Sequence, residues 1–488
     1  MHAQELFQAL PKMDTLLNHK NFAKANKTLL KPLISKHLQE LREEIQNLIE
    51  SHAQSTLDSH AVAQIQEKIR NIPTTIQNAY NALFTPTLIP VVNASGVVLQ
   101  TNLGRSVLSQ QVAQKLLPLL TRYCTLEYDL DKGARSSRYT HANALFQALF
   151  QTDYEFLVVN NNAAAVLLIL QTFAKNKKVL ISRGELVEIG GGFRIPEVMK
   201  QAGCELLEVG ATNKTHLSDY ENALSAECAM ILKAHKSNFS QIGFCAEVAM
   251  KDLSALAQRE GMIDYYDLGS GYVSGLESLP HAHYTSENSQ EPSLKEIFSA
   301  PPSLLSFSGD KLFGSAQAGI IAGKKELIER LKKNQLLRAL RVDKLCLGVL
   351  QASLEAYLQN DFDAIPTLRM LRISPDSLLS RAQQFLKILR PLESAYDFEV
   401  KKVDSLSGGG SLPDMKFESY GIAISAKAFS CAQLEERLRR DFSIITRIIA
   451  DKVLCDMRTL LDNDEMRIFE ALESLDSTHH AKNKNAKF

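Results

Sequence analysis

At 488 residues the chain is too long for one small core, and two or three domains are expected. Its 55 basic residues balance 55 acidic ones, so any attraction for a polyanion must come from a local basic surface and not from the overall field. Its 7 cysteines show no CxxC spacing, which argues for reduced thiols and against a disulfide framework or zinc site, and no run of about 18 apolar residues predicts a membrane span. The first residues, Met1-His2-Ala3-Gln4-Glu5, lack the basic and apolar segments of a signal peptide, so a cytoplasmic location is expected.

Residues 1–85 read as polar and helical. Gln39–Arg70 contains neither Gly nor Pro, and Leu41, Ile45, Leu48 and Ile49 recur at helical spacing. Within residues 1–40, Lys12, Lys20, Lys24, Lys27, Lys31 and Lys36 outnumber Glu5, Asp14 and Glu40. By itself that excess fits a solvated helical face.

From residue 86 to about 364 the pattern changes to apolar strands alternating with helices. Strands are predicted at Phe156–Val159, Val179–Ile181, Leu206–Val209, Ala229–Leu232, Ile263–Asp267, Leu304–Phe307 and Gly319–Ala322. Helices such as Ala163–Thr172 and Arg194–Ala202 lie between some of them. This is the pattern of an α/β domain with a mainly parallel sheet covered on both faces. Sites in such sheets lie beyond the carboxyl ends of the strands. Residues 277–293 read as a polar surface insertion. Residues 365–478 read as a smaller α/β domain with a helix at Asp376–Leu392, a loop at Gly408–Gly410 and a hairpin from Ser443–Ile449 and Val453–Met457. A polar, disordered tail is expected at 479–488.

The chemistry concentrates in Ser306-Phe307-Ser308-Gly309-Asp310-Lys311-Leu312, where an apolar strand delivers a lysine into a loop of small residues. Lysine is seldom buried without a reason. With Asp267 ending an earlier strand, Lys311 suggests a Schiff base to pyridoxal phosphate, Asp267 keeping the pyridine nitrogen protonated. Ser308 would donate to the cofactor phosphate. A solvated Lys-Asp pair at a strand end is the bland alternative. In Asn160-Asn161-Asn162-Ala163-Ala164-Ala165-Val166 a strand turns into a helix, and the amides of Asn162, Ala163 and Ala164 would form a phosphate site beside small residues. Glycines 190–192 suggest close packing or merely a turn. Glu185, Glu188, His235 and Asn238 are candidates near the ring whose roles the residues alone leave open. Arg338 and Arg341, three positions apart, would share a helix face suited to a phosphate-like anion, and Arg105 follows the glycine of Thr101-Asn102-Leu103-Gly104. Surface salt bridging is the commoner fate of such arginines. Lys132–Arg138 is a less specific phosphate-contacting candidate.

With these residues assembled, the chain resembles the bacterial selenocysteine synthase (L-seryl-tRNA(Sec) selenium transferase) family, from Gln8–Asp14 to Ile449–Leu460. The most specific pieces are Val98–Arg105, Leu126–Leu130, Asn160–Val166, Ser182–Pro196, Thr212-Asn213, Asp267–Gly271, Ser306–Leu312 and Arg338–Lys344. The resemblance implies a fold-type I pyridoxal phosphate transferase, a homodecamer of five dimers, with residues 1–85 gripping seryl-tRNA(Sec). It implies that Lys311 is the Schiff-base lysine, Asp310 a neighbouring active-site acid, and Arg105, Arg338 and Arg341 the anion pocket for selenophosphate. The implied reaction passes through a cofactor-bound aminoacrylyl intermediate. Ser136 stands where this family is expected to have Gly, and the 277–293 insertion is longer than expected. The rival readings are a paralogous pyridoxal phosphate lyase acting on a free amino acid or sugar acid, which should lack the N-terminal module, and an inactive tRNA-binding protein. Neither GxGxxG after a strand nor GxxxxGK[ST] occurs, which disfavours a nicotinamide or P-loop enzyme.

Overall fold

The computed structural model describes residues 3–51, 59–189, 192–276, 279–284 and 291–485. Two compact units emerge, Met1–Pro90 and Val91–Phe488.

The first unit is built on helices α1 (Lys27–Ser51) and α2 (Ser59–Ala82). The glycine-free stretch 39–70 is therefore carried by two helices, with residues 52–58 outside the described ones. Leu30, Ile34, Leu38 and Leu41 recur every third or fourth position on α1 and pack with Ile72 and Ile76 of α2 over Leu16, Leu17 and Phe22. Ile45 closes a smaller cluster with Leu6 and Ile65. The unit thus has its own core. All six lysines of its first 40 residues are exposed. A groove of about 700 Å³ between the helices is instead lined by Glu40, Glu44 and Glu67 with Lys68.

In the second unit, the strands β1 (Glu155–Val159), β2 (Lys178–Ser182), β3 (Glu205–Val209), β4 (Cys228–Ala234), β5 (Ile263–Gly269), β6 (Leu304–Ser308) and β7 (Gly319–Gly323) form a seven-stranded sheet in the order β1-β7-β6-β5-β4-β2-β3. Neighbouring pairs are parallel except around β7, which runs antiparallel to both β6 and β1. Alternation along the strands splits the core into two layers. Leu157, Leu304 and Ile321 face the layer of helix α3 (Asn162–Phe173), while Phe156, Leu305, Phe307 and Ile320 face a layer rich in phenylalanine. There Phe146 stacks on Phe156 with centroids 4.7 Å apart.

A second sheet holds β8 (Tyr396–Gly408), β9 (Ser411–Ala426), β10 (Arg447–Ile449) and β11 (Lys452–Asp456). β10 and β11 form the expected hairpin. The longer β8–β9 hairpin is not visible as a periodic apolar run because several of its buried positions are serines, Ser405, Ser407, Ser411 and Ser419. Its turn uses Gly408, Gly409 and Gly410, all at positive φ, and a Cβ on Gly408 would lie 2.3 Å from Val97 Cγ1. Two segments from outside 365–478 join this layer. Val92–Asn93 pairs in parallel with Ile444–Ile445, and Ala282–Tyr284 pairs antiparallel with β9, so part of the expected insertion is a sheet edge. The final helix runs from Asp464 to Asn485, past residue 478, with no Gly or Pro to interrupt it, and residues 486–488 lie outside the described ones.

Candidate active site

β5 and β6 are parallel neighbours, and their register sets Asp267 opposite Ser306. A bulge after Asp267 shifts the pairing, and Gly271 at positive φ allows the chain to pass Ser308, whose carbonyl a Cβ there would approach to 2.6 Å. Beyond β6 the chain turns at once. Gly309 N donates to Ala318 O at 2.8 Å, Leu312 N to Ser270 O at 3.0 Å and Gly314 N to Lys311 O at 2.9 Å. These bonds hold Lys311 between the ends of the two strands.

Lys311 is 5% exposed, yet its amine makes no hydrogen bond or ion pair among the described residues. Burial, reinforced by the Arg105 guanidinium, pushes it below the usual lysine range, with Asp267, Asp310 and Glu291 pulling the other way. Asp267 is buried too. Burial raises its carboxyl above the usual range, offset in part by Asn162, Lys311, Ser306 and His235. Asn162 Nδ2 donates to Asp267 Oδ1 at 2.7 Å, and Ser306 Oγ, itself 2.7 Å from the Tyr265 hydroxyl, faces the same oxygen at 3.5 Å. Asp310 is buried and accepts from Arg105 Nη1 at 2.8 Å. Arg105 reaches it from a left-handed backbone conformation, φ 64°, that follows Gly104.

Helix α3 begins where expected, with one change. Asn161 caps it by accepting from Ala164 N at 2.9 Å, so that amide is already engaged. The amides of Asn162 and Ala163 remain for an anion. Ser308 is buried at the end of β6. A cofactor with a pyridinium, an aldehyde and a phosphate fits what is present: a buried lysine whose amine has no acceptor, a buried carboxylate, two amides that the cap leaves open at the helix start, and a buried Asn162 Oδ1 that has no partner.

The arginines divide. Arg105 is committed to Asp310, and no contact among the described residues joins it to Arg338 or Arg341. Those two line a cleft of about 370 Å³ with Arg135, Arg138, Lys332, Lys333 and Glu127. The shared helix face expected for Arg338 and Arg341 is not formed, because the helix covers only Leu337–Leu340 and Arg341 is extended and bridged to Val159. Buried Val342 and Asp343, which caps the next helix through Leu345 N and Cys346 N, end it there. Glu127 organises the cleft, pairing with Arg138 at 2.6 Å and Arg135 at 3.2 Å and lying 3.9 Å from Arg341.

The four residues left open separate as well. His235 N donates to Asp267 O at 2.9 Å, beside the site. Glu185 is buried against Lys233 at 3.0 Å and accepts from Ala234 N, bracing the end of β4. Burial would lower Lys233, but Glu185 and Glu247 outweigh it and hold the ammonium above its usual range. Glu188 is exposed on Arg194 at 2.6 Å, and Asn238 donates to Glu188 O; neither contacts Lys311 or Asp267. Gly190 and Gly191 lie outside the described residues. Sequence reasoning missed Ser306, Tyr265, Glu127 and Glu291. Only Ser306, inside the lysine motif and one strand over from Asp267, carried a usable signal.

Comparison with known proteins decides the family. The family model described as SelA: L-seryl-tRNA selenium transferase matches residues 91–461. The chain belongs to this family. It is 50% identical over 471 residues to the L-seryl-tRNA(Sec) selenium transferase of Helicobacter hepaticus, covering 96% of this chain and 98% of that one. The enzyme of the same name from Wolinella succinogenes is 46% identical, covering 93% and 95%. Among solved structures, D-glucosaminate-6-phosphate ammonia-lyase superposes with a TM-score of 0.51 at 16% identity over 81% of this chain and 98% of that one. The fold is that of the fold-type I pyridoxal phosphate enzymes. No helix among the described residues is long and apolar enough to cross a membrane.

Proposed function

We propose that this chain is a pyridoxal phosphate-dependent transferase that converts L-seryl-tRNA(Sec) to L-selenocysteinyl-tRNA(Sec) with selenophosphate as selenium donor, working in the cytoplasm as a homodecamer of five dimers. The observation that carries the reading is the buried, partnerless Lys311 amine beside buried Asp267, in a chain whose near full-length relatives carry the transferase name. The lyase reading is not adopted, because the lyase shares the fold at 16% identity.

Pyridoxal phosphate, when bound, supplies an electron sink for the charge left as a proton leaves the seryl α-carbon. Lys311 provides the amine that holds the cofactor and later moves that proton, a role suited to a lysine held below its usual range. Asp267, braced by Asn162 and Ser306, would hold the ring nitrogen protonated. Asn162 and Ala163 amides with Ser308 hold the phosphate, while Ala164 keeps the backbone close. Asp310 acts beside Lys311, oriented by Arg105. Arg338 and Arg341 hold the selenophosphate anion, and Arg105 completes that pocket in the assembled enzyme. Residues 1–85 bind the tRNA through the exposed lysines of their first 40 residues, residues 86–364 carry the chemistry and residues 365–478 form the small domain.

Affinity for seryl-tRNA(Sec) and for ordinary seryl-tRNA(Ser), measured at two salt concentrations on the intact chain and on a chain lacking residues 1–85, tests the reading. The intact chain should prefer the first tRNA, with log affinity falling by about 0.7–0.9 per phosphate contact for each log unit of salt. The shortened chain should bind cofactor normally and lose the preference. A preference that survives the deletion assigns discrimination to the rest of the chain and refutes these domain roles.

A further inference from the structure

Glu291 belongs to no motif and is 8% exposed. Its Oε2 lies 3.2 Å from His235 Nε2, while Oε1 is buried and has no partner. A buried carboxylate is costly unless its lone pairs are met, and a half-satisfied one is unusual in a native core. The carboxylate is not needed to anchor its own segment. Leu294, fully buried, docks there through its amide on Tyr272 O at 2.7 Å, and Ser293 and Glu296 close a capping box around the following helix. His235 in turn is tied by its amide to Asp267 O. The pair therefore links a residue far along the chain to the strand end that carries the site.

We propose that Glu291 is a positioning residue of the active site, fixing the His235 imidazole at the strand end that carries Asp267 and adding a buried carboxylate to the surroundings of Lys311. With Glu291 ionised, Nε2 carries the hydrogen of the shared bond, which fixes the ring orientation. The other charged groups around the amine are Arg105, Asp267 and Asp310, and Glu291 acts with the two aspartates to favour the ammonium against Arg105 and burial. His235 correspondingly favours the ionised form of Asp267. The role rests on the cofactor reading of Lys311.

The test is made on protein stripped of cofactor. Pyridoxal phosphate is added across a pH series, trapped with borohydride, and the modified peptide is identified by mass. In wild type the adduct falls on Lys311. In Glu291→Gln the pH midpoint moves down, and trapping below the wild-type midpoint is several-fold faster, since a charge favouring the ammonium is gone. His235→Ala, which strips Glu291 of its partner, shifts the midpoint the same way, and the double variant shifts it no further than Glu291→Gln alone. Ser293→Ala loosens the same segment and should lower the melting temperature with the midpoint unchanged. Should Glu291→Gln fail to fold, His235→Ala decides alone, by the same shift. A Glu291→Gln profile that overlays wild type while melting earlier makes Glu291 a structural anchor and overturns the proposal. No adduct on Lys311 in wild type overturns the cofactor reading and this one with it.

Discussion

Two buried charged clusters in the same unit follow opposite rules. At Asp456, which is fully buried, both carboxylate oxygens are met: Ser405 Oγ at 2.8 Å and Arg447 Nη2 at 2.8 Å on one, Ser419 Oγ at 2.7 Å and Arg458 N at 3.0 Å on the other. Neighbouring Arg458, 1% exposed, spends its two Nη groups on the carbonyls of Met370, Leu371, Ile373 and Glu418, and only its Nε and that of Arg447 are left without a partner in this cluster's charged side chains. At Lys311 the amine has no acceptor, and Asn162 Oδ1 and Glu291 Oε1 have no donor. Satisfied polar burial holds a fold together. Unsatisfied polar burial around a lysine at strand ends marks where something else binds.

The largest expected effect that would separate the two clusters is on activity. Lys311→Ala should lower selenium transfer by more than about 10³-fold, since it removes the proton-moving group. The apoprotein should melt no earlier than wild type, as a buried amine without an acceptor adds nothing to stability. Early melting would erase the contrast. Asp456→Ala should do the reverse: urea unfolding should show a loss of about 3–5 kcal/mol, because Arg447 and two buried hydroxyls lose their acceptor. Cofactor content per folded chain should stay unchanged.

A smaller effect concerns arginines. Arg338 has no partner among the described residues, unlike Arg458 with its carbonyls. Arg338→Ala should raise the KM for selenophosphate about 10–100-fold, matching a lost charged hydrogen bond of about 1.5–3 kcal/mol, with the melting temperature unmoved. An unchanged KM at limiting donor would remove Arg338 from the anion pocket.

The smallest effect is one of pH. Lys311 is held below its unfolded value, so folding of the apoprotein at neutral pH must bury an ammonium or release its proton. Lys311→Met should therefore stabilise the apoprotein most below the depressed folded value. The gain should shrink as pH rises toward the unfolded lysine value of about 10.4, where both states are neutral. Melting curves across that range check the slope, and a gain that grows with pH would refute the assigned direction.

Some of this was legible in the sequence by itself. The strands expected to end at Asp267 and Phe307, the helix expected to open at Ala163 and the lysine turn are local patterns, set by apolar runs and by small residues that permit tight turns, and the structure places them within one residue or two of expectation. The helical unit was equally readable from its three-and-four spacing. Tertiary structure alone decided the rest. Glu291 reaches His235 across 56 positions, Asp456 gathers Ser405 and Ser419 from a hairpin whose outer face is polar, and Val92–Asn93 pairs with Ile444–Ile445 across most of the unit. Arg341 left its helix because Val159 and the cap at Asp343 claimed the neighbouring backbone. Periodicity and composition report which face of an element is buried, since that depends on near neighbours in the chain. They carry no record of which distant polar group will stand opposite a buried one, because that pairing exists only once the sheets have closed.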